Sequence, residues 1–349
     1  MAQSLTFVQG SSPEIWETLR LVSHALPTPL AGQVLVKLSA APINPLDLLV
    51  LNGKYLVKPT TFIDSHPVPG YDGIGTVIQC GDGVKSLAPG DKVIVKRHGL
   101  GTWRTHAALN EADVIKVPGD LDPRHGAILR MGLTPAYFLL NEAKDLQPGD
   151  WIIQNAASGA IAHFIAQLAA LQGYQVISVV RSREDVSHLK QQLESHGASL
   201  VIEETDLENP ELFNGKRIRL AFDAVFGSVA EQMAHRCSPG ATFVTYGFLS
   251  GMDESASIRI SPKIIWVNQI HFKGFRFSKA LASRSDEEQE ALFAWLSSML
   301  IEGRLTLPLL DFVIWDSQST DLESRLKQAV ASSTSVALGS RKKIIVFKD

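Results

Sequence analysis

Cysteine is almost absent: Cys80 and Cys237 are the only two in 349 residues. Two thiols so far apart offer no disulfide framework and cannot build a four-thiolate zinc site, so both read as small buried apolar residues. An excess of one charge is also lacking. With 33 Lys and Arg against 36 Asp and Glu the formal net charge is −3, and no basic field for nucleic acid follows. No apolar run is long enough to cross a bilayer, so no membrane partner is expected. Residues 1–10 lack the basic start and apolar centre of a secretory signal, and Glu14 and Glu17 argue against a transit peptide. A cytosolic protein is therefore expected. There is no internal repeat, which disfavours a solenoid.

What remains is ordinary globular composition, 45% hydrophobic and 20% charged, in a chain long enough for two domains. The first third holds short β-branched runs, among them Val34-Leu35-Val36-Lys37-Leu38, 73–78 and 92–95, separated by glycine, aspartate and proline. That spacing predicts a barrel-like, mostly-β unit. Helical character begins near His125, where 127–140 is apolar and punctuated by Thr134-Pro135. Strand and helix then alternate through Ile202, 221–225 and 242–246, as in a parallel sheet covered by helices. After Gly274 an amphipathic helix over 286–302 and a closing strand over 343–347 return to mixed structure. The order predicts an α/β protein with a discontinuous first domain, 1–125 and 275–349, interrupted by a second, 126–274.

The stretch Asp150-Trp151-Ile152-Ile153-Gln154-Asn155-Ala156-Ala157-Ser158-Gly159-Ala160-Ile161-Ala162 reads as strand, glycine turn and helix. Trp151–Gln154 is an apolar run after the breaker Pro148-Gly149-Asp150, and Ile161, Ile165, Leu168, Ala169 and Leu171 recur at helical spacing. The unpaired amides at the start of such a helix form a site for a pyrophosphate, and small residues let the backbone approach it. Ala160 and Ala162 stand where glycines are common, and an ordinary turn capped by Ser158 is the competing reading. A second apolar run, Gln175–Val180, ends in Arg181-Ser182-Arg183. NAD enzymes usually carry an acid there for the ribose 2′-hydroxyl. A guanidinium would instead pair with a 2′-phosphate, so NADPH is the expected cofactor.

Five segments together resemble the medium-chain dehydrogenase/reductase superfamily. They are Ala40-Ala41-Pro42-Ile43-Asn44-Pro45-Leu46-Asp47, Gly99-Leu100-Gly101-Thr102-Trp103-Arg104-Thr105, 146–155, Val179-Val180-Arg181-Ser182-Arg183 and Val244-Thr245-Tyr246-Gly247. Within it the chain is similar to the zinc-free 2-enoyl thioester reductases of the mitochondrial type. The resemblance implies a GroES-like catalytic domain built from both chain ends, a doubly wound Rossmann domain between, and a cleft at their junction. It implies reduction of a trans-2-enoyl thioester carried by CoA or acyl carrier protein. Tyr55, in Gly53-Lys54-Tyr55, would hydrogen-bond the thioester carbonyl and supply the proton. Ser158, Gly159, Ala160 and Ile161 would line the pyrophosphate, and 246–249, including Tyr246, Gly247 and Phe248, would pass along the adenosine and nicotinamide. Phe275, Arg276 and Phe277 would flank the nicotinamide and substrate, and Lys342 matches a family lysine near the cofactor, although a solvated pair with Lys343 is the other reading. The substrate pocket would comprise Asn44, Tyr55, Trp103 and Arg276, with Trp103 packing rather than reacting and Asp47 structural.

The resemblance also excludes chemistry. Zinc alcohol dehydrogenases of the superfamily carry a Cys near the position of Asn44 and Gly-His-Glu where this chain has Gly70-Tyr71-Asp72. No metal is expected. Three residues depart from the enoyl reductase pattern: Arg276 replaces a tryptophan, Gly132 a polar cofactor contact, and Arg130 a small residue. Arg276 reads either as a site for a substrate carboxylate or phosphopantetheine phosphate or as a surface ion pair. NADPH:quinone or enone reduction remains the alternative activity, and a non-catalytic NADPH-binding protein the alternative class. Family members pair through the edge strands of their Rossmann sheets, which predicts a homodimer through segments near 242–246 and 258–274.

Overall fold

Ten residues, Gln33–Pro42, form the strand around which the first part of the structure is organised, and most of its side chains are buried on both faces. A computed structural model describes the chain except for residues 11–13, 142–145, 184–185, 250–256, 335–340 and 349. It divides into two units, Met1–Met131 with Ser285–Asp349, and Gly132–Arg284.

The first unit opens with β1 (Ala2–Phe7) and β2 (Leu19–His24), an antiparallel pair, followed by β3 (Gln33–Pro42) and helix α1 (Pro45–Leu51). A short ribbon, β4 (Phe62–Ile63) with β5 (His66–Pro67), precedes β6 (Ile74–Cys80), β7 (Lys92–Val95), β8 (His106–Asn110), β9 (Val114–Val117) and α2 (Pro123–Ile128). One edge of β3 pairs with β6. Its other edge pairs with β8 at the start and with a strand from the far end of the chain at the finish.

A π-helical turn, Leu129–Leu133, spans the boundary into the second unit and leads into α3 (Thr134–Leu140). Then follow β10 (Trp151–Gln154), α4 (Ala160–Leu171), β11 (Gln175–Val180), α5 (Val186–Ser195), β12 (Leu200–Glu203), β13 (Ile218–Asp223), α6 (Ser228–Arg236), β14 (Thr242–Thr245), β15 (His271–Gly274) and α7 (Phe277–Ala282). All six strands run parallel in the order β12-β11-β10-β13-β14-β15. The strand order reverses beside β10, the topological switch point of a Rossmann sheet, where ligands bind beyond the carboxyl ends of the strands. The chain then returns to the first unit with α8 (Asp286–Ile301), whose capping box joins Ser285 and Glu288, and with β16 (Leu310–Trp315), α9 (Leu322–Ala331) and β17 (Lys342–Phe347). The last strand lies between β16 and β3.

β14, expected as a dimer edge, is paired on both sides; the two edge strands of the sheet are β12 and β15, the second within the other expected segment, 258–274. Among the described residues no helix is long and apolar enough to cross a membrane.

Gly70 fixes the segment that carries Tyr71 and Asp72. Its φ is +91°, and a Cβ there would sit 2.7 Å from the backbone nitrogen of Trp103, which cannot move aside independently. Gly70→Ala should cost about 1–3 kcal/mol from the backbone strain alone, read as a lower midpoint in chemical denaturation.

Candidate active site

The first unit collects a buried polar cluster where its β-sheet meets α1 and α2. Pro45 starts α1, and Asn44 precedes it as the capping residue. The Asn44 backbone N–H donates to Asp47 Oδ2 at 2.8 Å, and the Tyr71 N–H donates to Asp47 Oδ1 at 3.1 Å. One carboxylate thus joins two segments far apart in sequence. Lys342 at the start of β17 donates from Nζ to the Ile43 carbonyl at 3.2 Å and to Asn44 Oδ1. An ammonium can only donate, so the Asn44 oxygen faces Lys342 and Nδ2 faces the other way. Nδ2 is buried with no hydrogen-bond partner.

Asp72 accepts from the N–H of Gly73 (3.1 Å) and of Met131 (3.2 Å). Arg130, in the π-helical turn, is 2% exposed; its Nε donates to the Lys96 carbonyl and its NH1 to the Tyr71 carbonyl. Its charge also acts on Asp72. The arginine that stands where a small residue is usual is therefore a buried brace across three segments. Burial raises Asp47 and Asp72 to about 7, opposed at Asp72 by Arg130 and at both by Lys342. Burial lowers Lys342 to about 8. The solvated-pair reading of Lys342 is overturned, because its ammonium is spent inside the cluster.

Above this cluster lie three rings. Gly53, with φ +71°, turns the chain after α1, and the Tyr55 N–H donates to the Leu49 carbonyl. The Tyr55 hydroxyl lies 3.1 Å from His98 Nδ1. Tyr71 stacks on His98 at 5.8 Å and meets Tyr55 edge-on at 6.0 Å. The Tyr71 hydroxyl is committed to the Val57 carbonyl at 2.8 Å, leaving Tyr55 as the half-buried phenol of the pair. His98 is 9% exposed, and burial together with the Arg130 charge lowers it to about 3, so it is neutral at any physiological pH. Trp103 does not line this pocket wall. It is fully buried in the core, its indole N–H donating to the Pro42 carbonyl at 3.2 Å.

In the second unit the sequence candidates gather at the carboxyl edge of the parallel sheet. Ser158 lies in the turn after β10, and Gly159, not Ser158, is the N-cap of α4. No side chain caps that helix, so the amides of Ala160 and Ile161 keep their donors for a ligand. The turn holds Ala156 at φ +48°, and Phe226 beyond β13 adopts +70°, strained non-glycine positions on both sides of the switch point. Arg181 and Ser182 are exposed after β11, with Arg183 half-buried; Arg181 acts electrostatically on Glu204, and Ser182 hydrogen-bonds Glu203. Tyr246, Gly247 and Phe248 follow β14. A Cβ on Gly247 would approach the Ala224 carbonyl to 2.9 Å, so only glycine fits. Phe275 continues from β15 through its bond to the Thr245 carbonyl; Arg276 is exposed at the head of α7, and Phe277 is buried against Phe138. An uncapped helix end, a small-residue turn and a glycine-only approach fit a dinucleotide.

Residues not singled out in the sequence complete both places. Asn155 Nδ2 donates to Asp223 Oδ1 at 2.6 Å, and Asn155 Oδ1 accepts from the Ala224 N–H, tying β10 to β13 at the switch point. His98 has no periodicity or motif of its own; its only signal is its place one residue before Gly99-Leu100-Gly101.

Residues 30–119 match the alcohol dehydrogenase GroES-like domain family, and residues 160–298 match the zinc-binding dehydrogenase family. Across 335 residues the chain is 32% identical to the mitochondrial enoyl-[acyl-carrier-protein] reductase of Homo sapiens, covering 95% of this chain and 88% of that protein. It belongs to the enoyl thioester reductases of the medium-chain dehydrogenase/reductase superfamily. As such it is an oxidoreductase. The enzyme of the same name from Schizosaccharomyces pombe is 32% identical over 82% of this chain and 80% of its own length. A solved complex of Etr1p with NADP and crotonyl-CoA superposes with a TM-score of 0.87 at 26% identity, covering 99% of both chains. A quinone oxidoreductase from Pseudomonas syringae shares the fold, with a TM-score of 0.78 at 22% identity over 99% and 100% of the chains. Despite the name of the second family, no group of three metal-ligating side chains occurs among the described residues of this reductase.

Asp47 and Asp72 bind protons more tightly in the folded chain than at their ordinary 3.8. Their contribution to stability is complete below about pH 4 and is lost as pH rises through about 7. Lys342 holds both values down. Lys342→Met should therefore carry the loss above pH 7 and make the melting temperature fall more steeply with pH, which thermal melts between about pH 5 and 9 will read.

Proposed function

We propose that this enzyme reduces the C2–C3 double bond of a trans-2-enoyl thioester with NADPH, with Tyr55 as the carbonyl donor. The observation that carries the reading is the Tyr55 hydroxyl, half-buried over a braced polar cluster in a chain of the enoyl thioester reductase family. The complex of the related Etr1p with NADP and crotonyl-CoA supports the choice of cofactor and substrate class.

NADPH, when bound, supplies a hydride to C3. Ser158, Gly159, Ala160 and Ile161 would hold its pyrophosphate at the uncapped end of α4, and Arg181 and Arg183 its 2′-phosphate. Tyr246, Gly247, Phe248 and Phe275, at the same carboxyl end of the sheet, would run along the rest of the cofactor. Negative charge grows on the thioester carbonyl oxygen as C3 is reduced, and the Tyr55 hydroxyl donates to that oxygen. A donor aimed at charge that appears only in the transition state raises the rate rather than the ground-state affinity. The same hydroxyl then gives its proton to C2. Asn44 Nδ2, buried with no partner, is a second donor available to a substrate oxygen.

A panel of crotonyl-CoA, a longer 2-enoyl-CoA, a simple enone and a 1,4-quinone, each with NADPH and with NADH, tests the reading by absorbance. Thioester turnover should exceed the rest, and Tyr55→Phe should lower its kcat about a hundredfold or more. Arg181→Ser should raise KM for NADPH by at least about tenfold while leaving NADH little changed. Turnover confined to the quinone or enone would replace this reading, and tight NADPH binding without turnover would make the chain a cofactor-binding protein.

The enzyme is further proposed to be a homodimer joined through β15. That strand is one of the two sheet edges, and the turn before it, Lys263–Val267, exposes Ile265, Trp266 (78%) and Val267. A solved structure of the related Candida tropicalis enzyme is an Etr1p/Etr2p heterodimer. Light scattering should give twice the chain mass at micromolar concentration, and Trp266→Glu should shift it toward the monomer.

A further inference from the structure

The proposed reaction leaves Tyr55 as a phenolate once its proton has gone to C2, and a phenolate in a half-buried pocket needs a donor. The His98 ring lies beside the Tyr55 hydroxyl, with Nδ1 at 3.1 Å. Its other nitrogen, Nε2, lies 3.4 Å from Met131 Sδ, a thioether that has no proton to give and accepts only weakly. The sulfur is only a weak acceptor for a hydrogen on Nε2, whereas the charge that develops on the Tyr55 oxygen is a strong one, so that charge favours the single hydrogen of the neutral ring on Nδ1. The ring cannot swing away, because it is buried and stacked on Tyr71, which is itself tied to Asp47 and to Val57. Behind it the Arg130 guanidinium interacts electrostatically with both His98 and Tyr55.

We propose that His98, backed by Arg130, is a positioning residue for the acid of the reaction: its Nδ1–H donates to the Tyr55 oxygen, directing the phenol hydrogen toward the substrate and stabilising the phenolate that remains. This rests on the Tyr55 reading above. The balance of the step is simple. The Tyr55 O–H bond breaks and a C2–H bond forms; the O–H electron pair stays on the phenol oxygen, His98 keeps its hydrogen, and solvent water later returns a proton to Tyr55. Among the described residues, the groups that face Tyr55 and bear on its acidity include His98 after β7, Tyr71 before β6, and Arg130 after α2. His98 is held neutral by burial and by the Arg130 charge, so it acts as a hydrogen-bond donor and never as the proton source. The proposal also gives Arg130 a role in the reaction beyond bracing.

A double-mutant cycle with Tyr55→Phe separates this proposal from the reading beneath it. His98→Ala should lower kcat for crotonyl-CoA about tenfold with KM little changed, and the same substitution in a Tyr55→Phe background should have almost no further effect. His98→Asn, whose amide can place a donor close to the Nδ1 position, should recover most of the loss and serves as the second variant if His98→Ala folds poorly. Apart from turnover, the ultraviolet titration of tyrosinate, taken as the difference between each protein and its Tyr55→Phe partner, should show Tyr55 ionising at higher pH in His98→Ala. Equal losses in the two backgrounds, or an unmoved Tyr55 titration, would overturn the role of His98 while leaving Tyr55 in place. Full activity of Tyr55→Phe alone would remove the Tyr55 reading and this proposal with it.

Discussion

Asp47 has no exposure to water, yet it accepts hydrogen bonds from two backbone amides that belong to different parts of the fold. An unpaired buried carboxylate is costly, so both amides are held where this one needs them. From that node the rest follows. Asn44 is set at the head of α1, and Tyr71 and Asp72 are set beside it; Tyr71 then binds the carbonyl of Val57 and stacks on His98. Lys342 and Arg130 oppose the accumulated negative charge from two further directions. The phenol proposed for catalysis sits over a cluster whose members are each bonded to backbone, a means of holding side chains without relying on loop rigidity.

The nucleotide side is organised by a different constraint. Parallel strands must be buried on both faces, so the places for chemistry are the strand ends. Asn155 and Asp223 seal the gap between β10 and β13 where the order of strands reverses, and Asp223 also accepts from the amides of Val225 and Phe226 and from the Thr245 hydroxyl. Three strand ends are thereby fixed to a single carboxylate. The strained backbone at Ala156 and Phe226 lies on either side of it.

Legibility in the sequence tracked the range of the interactions involved. The strands β7, β10 and β11 coincide with the apolar runs read from sequence, and α8 begins at Asp286 where its Ser285 capping box places it. Local pattern is sufficient there. β3 is longer than its legible core because its finish, Ser39 to Pro42, is small and unpatterned, and becomes strand by pairing with β17 and, at Ala40, with β6. The β1–β2 pair and the π-helical turn at 129–133 left no signal, since their partners or their geometry are not periodic. At the site, Tyr55 and the glycine turn were legible through the family motifs. His98 was not, because what singles it out is its contact with a ring 43 positions away. Trp103 carried a motif yet serves the core, and Lys342 read equally as a lysine near the cofactor or as a solvated partner of Lys343, while the sheet places it against Asn44.

The position of β17 has a consequence for how the molecule comes into being on a ribosome. Lys342 reaches Asn44 across 298 positions of chain, and β17 is inserted between β16 and β3 rather than added at an edge. The parallel sheet of the second unit needs none of these residues and is complete in sequence long before β17 emerges. The first unit meanwhile must wait with the finish of one edge of β3 open, because contacts of such separation cannot form until the later partner exists. The cation that offsets the two buried carboxylates arrives with that same strand. Assembly of the polar cluster thus waits for β17, and a nascent chain stalled before that strand would carry a finished parallel sheet and an unfinished polar cluster.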